Sequence, residues 1–230
     1  MIPELEVLFD SVPGEPVEGY GGNPRWTGVA ANFVESLDGV VALPEAAGES
    51  GAVVSGGSRA DHFLMGLLRA CADAVLIGAG TLRAAPGDLW FADSIFPEAA
   101  GLYARLGSLR PRLYVVSGSG NVDRAHPALR EGVLLTGKLS SEEIIARLRA
   151  DGHSRILCEG GPGLFAELAA AGMIDELFLT LSPRLFGRFP GDRRKSLTDA
   201  RDLAGARLRL LSARRHESHL FLRYGANSFR

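Results

Sequence analysis

The sequence is poor in cysteine and has no strong charge of either sign. Its 230 residues include two cysteines, and 25 Lys and Arg stand against 27 Asp and Glu, which gives a formal net charge of -2. Two thiols cannot build the cross-linked framework of a small secreted domain. A charge this close to zero gives no electrostatic reason to expect nucleic acid or an anionic membrane as a partner.

Long apolar runs and metal-binding spacings are also missing from the sequence. No stretch reaches the roughly 20 apolar residues of a membrane span, and the acidic N-terminus with Glu4, Glu6 and Asp10 differs from a basic signal peptide. The five histidines include no pair spaced as on a zinc-binding helix, and there is no Cys-x-x-Cys. We expect a cytoplasmic protein without a metal, in which Cys71 and Cys158 are buried free thiols.

The overall composition is that of a globular α/β protein. The chain is 46% hydrophobic and 23% charged, and its length suits one large domain. Residues 1–26 are rich in Pro, Gly and acid, so we predict an irregular N-terminal arm. Residues 27–230 form the predicted single domain, in which strands alternate with helices. This alternation predicts a mixed, mainly parallel sheet with helices on both faces and an antiparallel hairpin at the end.

The predicted elements follow from hydrophobic periodicity and capping residues. Ser58 with Asp61, and Ser140 with Glu143, have the spacing of a capping box at a helix start. Helices are predicted at 58–71, 97–106, 140–148 and 164–172, and a loop is predicted at 84–95. Strands are predicted at 27–37, 40–43, 74–77, 113–116, 133–135, 156–158, 176–181, 206–211 and 220–224.

The most informative motif is the segment I-L-C-E-G-G-P-G-L at residues 156–164. A short apolar strand meets Glu159, a glycine-rich turn (Gly160, Gly161, Pro162, Gly163) and an amphipathic helix. Glycines allow a ligand to approach the backbone closely, and the first turn of a helix favours an anion such as phosphate. The turn is equally compatible with a purely structural role, because it matches neither the dinucleotide fingerprint nor the P-loop.

Three other predicted strands also end in small and polar residues. The four clusters are residues 36–39, 78–81, 117–120 and 159–163. Ligands of parallel sheets bind beyond the C-terminal ends of the strands, where these clusters would meet. Their combination favours a phosphate-bearing ligand at the glycine turn over a purely structural role.

Taken together, four segments resemble the reductase domain of the riboflavin-pathway deaminase-reductases. They are residues 36–39, Ser55 with Arg59 and the helix to Cys71, residues 78–83, and residues 159–162 continued through 174–177 to 183–187. The resemblance covers roughly residues 27–224. It implies a dihydrofolate-reductase-like three-layer fold, a homodimer, NADPH as hydride donor, and reduction of the ribosyl group of a phosphoribosylaminopyrimidine. The zinc signature of the deaminase half is absent.

The same resemblance assigns residues to the cofactor. It implies that Gly160, Gly161 and Gly163 bind the pyrophosphate through backbone N–H groups, and that Thr81 contacts the cofactor beside Gly78 and Gly80. Ser117, Ser119 and Arg124 would bind the adenosine 2′-phosphate, because an arginine near hydroxyls suits a dianion; this favours NADPH over NADH. The alternatives are a turn-capping role for Thr81 and a solvated surface position for Arg124.

On the substrate side, the resemblance implies contacts from Asn32, Ser55, Arg59 and Arg83. Asp38 and Glu159 are the candidate catalytic acids, and burial at the lip of the turn would raise the pKa of Glu159 and suit it to proton donation. Asp38 is equally compatible with a turn cap, and Arg59 with an exposed position in the first turn of its helix.

One segment departs from the family pattern. The family continues Thr-x-Arg-Ala with Asp-Asp-Pro, whereas this chain has Ala84, Ala85 and Pro86, with Asp88 as a candidate replacement. The lost carboxylates help to place the substrate, so they keep two alternatives open: a dihydrofolate or other pterin substrate, and a non-catalytic nucleotide-binding protein. A deazaflavin in place of NADPH is a further alternative.

Overall fold

The computed structural model describes residues 1–43, 50–187, 189, 191–199 and 201–226. Nine strands form one sheet; their bounds are β1 (Glu6–Asp10), β2 (Gly28–Ser36), β3 (Ala74–Gly78), β4 (Arg112–Ser117), β5 (Val133–Thr136), β6 (Arg155–Cys158), β7 (Glu176–Ser182), β8 (Arg209–His216) and β9 (His219–Gly225). Their order across the sheet is β1-β8-β9-β7-β2-β6-β3-β4-β5. The last residues of the predicted domain, 227–230, lie outside the described residues.

The sheet is parallel on one side and antiparallel on the other. Strands β7, β2, β6, β3, β4 and β5 run parallel to one another, whereas the pairs β7–β9, β9–β8 and β8–β1 are antiparallel. The C-terminal ends of six parallel strands therefore meet at one edge of the sheet. The predicted fold class, a mainly parallel mixed sheet with a C-terminal hairpin, is confirmed.

Helices cover both faces of the sheet. They are α1 (Ser50–Ser55), α2 (Arg59–Cys71), α3 (Ala79–Ala84), α4 (Ala92–Ile95), α5 (Ala100–Leu106), α6 (Ser141–Ala150) and α7 (Pro162–Ala170). Alternate strand residues point to opposite faces. Ala30 and Ile77 therefore pack with α2, α4 and α5 in one cluster, whereas Ala31 and Leu76 pack with α6 and α7 in a second cluster.

The two predicted helix starts differ in detail. Ser140 and Glu143 form a reciprocal capping box at α6, with N–H to side-chain oxygen distances of 2.8 and 3.2 Å. At α2, Ser58 accepts a hydrogen bond from the Asp61 N–H at 3.3 Å, but the side chain of Asp61 is buried instead of completing the box. The sequence therefore located both helix starts, but it did not predict that the side chain of Asp61 is buried.

The N-terminal arm differs from its prediction because part of it joins the sheet. Residues 6–10 form the edge strand β1, which pairs with β8. The guanidinium of Arg214 contacts Asp10 and the carbonyl of Tyr20, and Arg215 pairs with Glu6. These contacts come from residues some 200 positions away along the chain, so no local pattern announces them.

Several shorter predictions also change. Residues 40–43 form no strand and make one isolated bridge, between Ala42 and Lys195. The glycine segment after β3 begins a short helix, the predicted loop at 84–95 contains α4, and β8 starts at Arg209 instead of residue 206. Such short segments owe their conformation to packing more than to their own propensity.

Three features of the described residues bear on the classes considered above. Cys71 and Cys158 are free and buried, as predicted, and burial raises the pKa of the Cys158 thiol to about 12. Within the described ranges, no helix is long and apolar enough to cross a membrane. The same residues contain no group of three or more metal-ligating side chains able to hold an ion.

Candidate cofactor and substrate site

The glycine turn lies at the C-terminal edge of the sheet, between β6 and α7. The N–H of Glu159 donates to the carbonyl of Leu76 at 3.1 Å, and the N–H of Gly78 donates to the carbonyl of Gly160 at 2.7 Å. These two bonds fasten the turn to the end of β3. The structure therefore brings two of the predicted glycine clusters together.

The turn needs its glycines because neighbouring groups leave no room for side chains. Gly160 has a φ of +97° and forms a cis peptide bond with Gly161. A Cβ added at Gly160 would lie 3.2 Å from the Phe33 ring, and one at Gly161 would lie 3.3 Å from the Thr81 hydroxyl. Thr81 is thus close to the turn, as the resemblance implied, and bare backbone faces this space.

The first turn of α7 has open N–H groups with an acid nearby. Pro162 occupies the first helical position, and the N-cap residue is Gly161, which has no side chain to accept a hydrogen bond from the first turn. A Cβ at Gly163 would lie 3.3 Å from a carboxylate oxygen of Asp199, which is paired with Lys195 at 2.8 Å. An anion bound at this helix start would therefore meet a carboxylate that is already partly neutralised.

The predicted 2′-phosphate residues lie in different environments at the end of β4. Ser117 is buried, whereas Ser119 and Arg124 are exposed. The Ser119 hydroxyl accepts a hydrogen bond from the Asn121 N–H at 3.2 Å. Among the described residues no hydrogen bond joins Arg124 to either serine, so its part in binding a phosphate stays a prediction.

Glu159 is a buried ion-pair partner of Arg69, which sequence reasoning missed. The Arg69 Nη2 lies 2.7 Å from Oε2, and Nε lies 3.0 and 3.1 Å from the two carboxylate oxygens. Both side chains are less than a tenth exposed. Sequence predicted an acid suited to proton donation, whereas the structure shows a carboxylate with both oxygens accepting from a guanidinium.

Asp38 has the geometry of a cap. Its carboxylate accepts from the Ser36 hydroxyl at 2.5 Å, from the Gly187 N–H at 2.6 Å and from the Phe186 N–H at 3.2 Å. The Ser36 hydrogen bond, followed by the two backbone bonds, lowers the pKa of Asp38. The carboxylate ties the end of β2 to the segment after β7, which matches the alternative of a turn cap.

The predicted substrate residues do not form one cluster. Arg59 is exposed and pairs with Glu98 at 3.0 Å while its guanidinium lies over the Phe96 ring, and its phosphate contact stays a prediction. Arg83 is exposed and donates to the Asn121 carbonyl at 3.3 Å.

Ser55 and Asn32 lie farther inside the protein than the two arginines. Ser55 is fully buried at the end of α1, and its hydroxyl donates to the Ala52 carbonyl at 3.2 Å. Its contact with a substrate phosphate stays a prediction. Asn32 is half-buried on β2, on the face that α2 covers.

A polar strip on the same face was also missed by the sequence. Asp61 on α2 is 6% exposed, and burial raises its pKa; nearby Thr180, His62 and His219 oppose this shift. The Thr180 and Ser182 hydroxyls on β7 are buried without a hydrogen bond of normal geometry. Asp61 was missed because its spacing from Ser58 is that of a residue in a helix capping box. The only sequence signal for the two hydroxyls is that they are polar residues within an apolar strand.

A comparison with sequence models of protein families identifies the family of the chain. The sequence model of the RibD C-terminal domain matches residues 27–222. The chain belongs to the RibD C-terminal domain family. Membership in this reductase family supports an oxidoreductase and confirms the resemblance found in the sequence. No curated protein sequence is significantly similar to the chain.

Solved structures share the fold of this RibD C-terminal domain. A pyrimidine reductase-like protein from Corynebacterium diphtheriae is similar with a TM-score of 0.64 and 21% identity over 86% of this chain and 91% of that chain. RibD from Acinetobacter baumannii has a TM-score of 0.68 and 18% identity over 87% of this chain and 58% of that protein. This chain therefore spans a little over half the length of that RibD.

The likeness extends to dihydrofolate reductase. The Enterococcus faecalis enzyme, complexed with NADP(H), has a TM-score of 0.53 and 15% identity over 87% of this chain and 96% of that chain. Identities this low establish a common fold and no more. The dihydrofolate-reductase-like architecture predicted for this RibD C-terminal domain is confirmed.

Proposed function

We propose that this protein is an NADPH-dependent reductase of the riboflavin type, which transfers hydride to the ribosyl imine of a phosphoribosylaminouracil. One observation carries the proposal: a bare glycine turn lies between Thr81 and the first turn of α7 in a RibD C-terminal domain. The homodimer and the cytoplasmic location implied by the resemblance belong to the same proposal.

The residues at this edge fit a dinucleotide phosphate. Backbone N–H groups at Gly161 and Gly163 and the Thr81 hydroxyl would hold the pyrophosphate, because glycines keep side chains out of the space beside the helix start. Ser119 and Arg124, exposed after β4, would take the 2′-phosphate. NADPH supplies the hydride when bound. The protein orients the reactants and excludes water around them.

The substrate would lie on the face of the sheet that α2 covers. Asp61, Thr180 and Ser182 present a carboxyl and two hydroxyls there, and Asp61 is the acid whose pKa is raised by burial. A carboxyl whose pKa is raised by burial is better suited than an ordinary aspartate to donate a proton to a reduced product. Thr180 and Ser182 would accept or donate hydrogen bonds to the polar edge of a heterocycle.

A pterin such as dihydrofolate is the second candidate substrate. The Asp-Asp pair typical of the riboflavin-type family is replaced by Ala84 and Ala85. Asp61 on α2 provides a buried carboxyl in another part of the chain. A carboxyl beside a hydroxyl is complementary to the amino and ring-nitrogen edge of an aminopyrimidine, whether that ring belongs to a pterin or to a simpler heterocycle.

Turnover assays with purified protein separate these functions. We expect loss of NADPH absorbance with the phosphoribosylaminouracil, and dihydrofolate is the parallel substrate. Turnover of dihydrofolate alone would transfer the proposal to the pterin alternative. Tight NADPH binding without turnover of either compound would favour the non-catalytic alternative.

Cofactor identity is tested by binding. Fluorescence titrations with NADPH, NADH and a deazaflavin should show a preference for NADPH. Arg124→Ala should weaken NADPH by about tenfold, the value of one charge-assisted contact, and leave NADH unchanged. Equal weakening of both nucleotides would contradict the 2′-phosphate role of Arg124, and tighter binding of the deazaflavin would contradict NADPH as cofactor.

A further inference from the structure

Arg69 is a buried arginine at the candidate site that the sequence did not single out. It lies in the last turn of α2, with its side chain 6% exposed. Its Nε and Nη2 bind the Glu159 carboxylate, and its Nη1 donates to the Phe91 carbonyl at 3.3 Å. One guanidinium thus joins three parts of the chain: α2, the glycine turn and the end of the 85–91 segment.

The energetics of a buried ion pair make a purely stabilising role a poor explanation. Removing two charges from water is costly, and well-packed apolar residues often replace such a pair without loss of stability. What the pair supplies is geometry, because the planar guanidinium presents its donors in a fixed fork that a lysine cannot reproduce. The position of Arg69 is therefore better explained by the orientation of what it binds.

The two groups that Arg69 binds belong to the two halves of the site. Glu159 directly precedes Gly160, the first residue of the glycine turn. Phe91 ends the segment that follows Ala84 and Ala85, where the family pattern is altered. Since Arg69 binds a side chain on one side and a backbone carbonyl on the other, it fixes the spacing between the cofactor turn and the altered segment.

We infer that Arg69 is a positioning residue, which acts through Glu159 and Phe91 to hold the glycine turn in the geometry that binds the cofactor pyrophosphate. This inference rests on the proposed function for the identity of the cofactor. Among the described residues, no hydrogen bond joins Arg69 to Ser117, Ser119 or Arg124, where the adenosine 2′-phosphate is expected. Loss of Arg69 should therefore weaken binding that depends on the pyrophosphate and spare the contacts of the adenosine 2′-phosphate.

The test compares whole cofactor with its adenosine fragment in the double variant Arg69→Met/Glu159→Gln, which leaves no unpaired buried charge. We expect NADPH to bind at least about tenfold more weakly, as small misplacements in a preorganised site do, while adenosine 2′-monophosphate, which has no phosphate to place at the glycine turn, binds normally. Arg69→Lys should recover only part of the loss, since it keeps the charge without the fork.

A second buried pair provides a matched control. Arg223 on β9 pairs with Glu176 at the N-terminal end of β7, at the opposite edge of the sheet. Arg223→Met/Glu176→Gln removes the same groups and should leave the binding of both nucleotides unchanged. Equal weakening of NADPH and its fragment in the Arg69 variant, unchanged NADPH binding, or full recovery with lysine would overturn the inference.

Hydrogen exchange separates this inference from the proposed function. In protein without nucleotide, amides of residues 160–165 and 84–91 should exchange faster in the Arg69 double variant than in the Arg223 control. Unchanged exchange in both segments would contradict the positioning role whatever the cofactor. Failure of the unmodified protein to bind NADPH would instead reject the proposed cofactor, and the exchange result would still decide the role of Arg69.

Discussion

Glu159 and Asp61 are both acids buried on the α2 side of the sheet, but their surroundings differ. Glu159 has a guanidinium on both of its oxygens. Among the described residues no arginine or lysine pairs with Asp61, and burial raises its pKa. An acid held by a guanidinium is suited to a fixed geometry, whereas a buried acid without such a partner is suited to proton transfer. We therefore propose a positioning role for Glu159 and proton transfer for Asp61.

The largest expected effect comes from Asp61→Asn. Loss of a general acid typically costs about 10²- to 10⁴-fold in rate, so kcat with the preferred substrate should fall by that amount. NADPH affinity should change little, because Asp61 lies on the substrate side. Steady-state kinetics and cofactor titration measure the two quantities. A normal kcat in Asp61→Asn would contradict proton transfer by Asp61. An equal loss of kcat in Thr180→Ala, which keeps Asp61, would contradict it as well.

The next effect is on stability and concerns Glu159→Gln. This change leaves Arg69 as a buried charge without its carboxylate, and breaking one side of such a pair costs about 3–5 kcal/mol. Urea denaturation should show this loss, and adding Arg69→Met should recover most of it. If the single variant were as stable as the parent protein, Glu159 would not depend on Arg69 as the structure indicates.

A third prediction uses pH to compare unmodified protein with Asp61→Asn. The folded-state pKa of Asp61 is raised, so its contribution to stability is complete below the unfolded pKa of about 3.9 and is lost as pH rises through the folded value. Asp61→Asn cannot ionise and should gain stability relative to the parent as pH rises. The free energy of unfolding measured across this range tests the sign.

Asp38, the other acid of the site with a shifted pKa, does not affect this pH comparison. Asp38 has a lowered pKa and contributes stability that is lost as pH falls. It is present in both proteins, so its contribution cancels in the difference. A difference that stays constant with pH would show that Asp61 ionises in the folded protein as it does in the unfolded chain.

The smallest expected effect concerns Asp199, a third acid, which lies beside Gly163 and is paired with Lys195. Asp199→Asn should tighten NADPH binding by about two- to fivefold, the value of about 0.3–1 kcal/mol for one charge near a helix N-terminus. Asp202→Asn, an exposed acid nearby, is the control. Weaker binding in Asp199→Asn would show that this carboxylate supports the cofactor turn instead of competing with an anion.

Local patterns in the sequence were sufficient for much of the fold and for half of the site. Hydrophobic periodicity located α2 and the parallel strands, and the Ser140–Glu143 spacing located the start of α6. The glycine turn and its neighbour Thr81 were found because a strand, a turn and a helix start are encoded by consecutive residues. These features share one physical property: the interacting groups are close together along the chain.

The substrate side was harder to predict because its contacts join distant segments. Asp61 has the spacing of a cap, and only the packing of α2 against β7 turns it into a buried acid. The ion pair between Arg59 and Glu98 joins two helical segments 39 positions apart, and no local pattern indicates it. Residue type and spacing do not say which way a helix face will turn.

The sequence by itself determined the parallel sheet, the glycine turn at its edge and the family to which the turn belongs. Only the tertiary structure decided the state of the acids: Glu159 meets Arg69 across 90 positions of chain, and Asp61 is covered by a strand that comes more than a hundred residues later. Charge and solvation depend on neighbours in space, and those neighbours exist only after the helices have packed on the sheet.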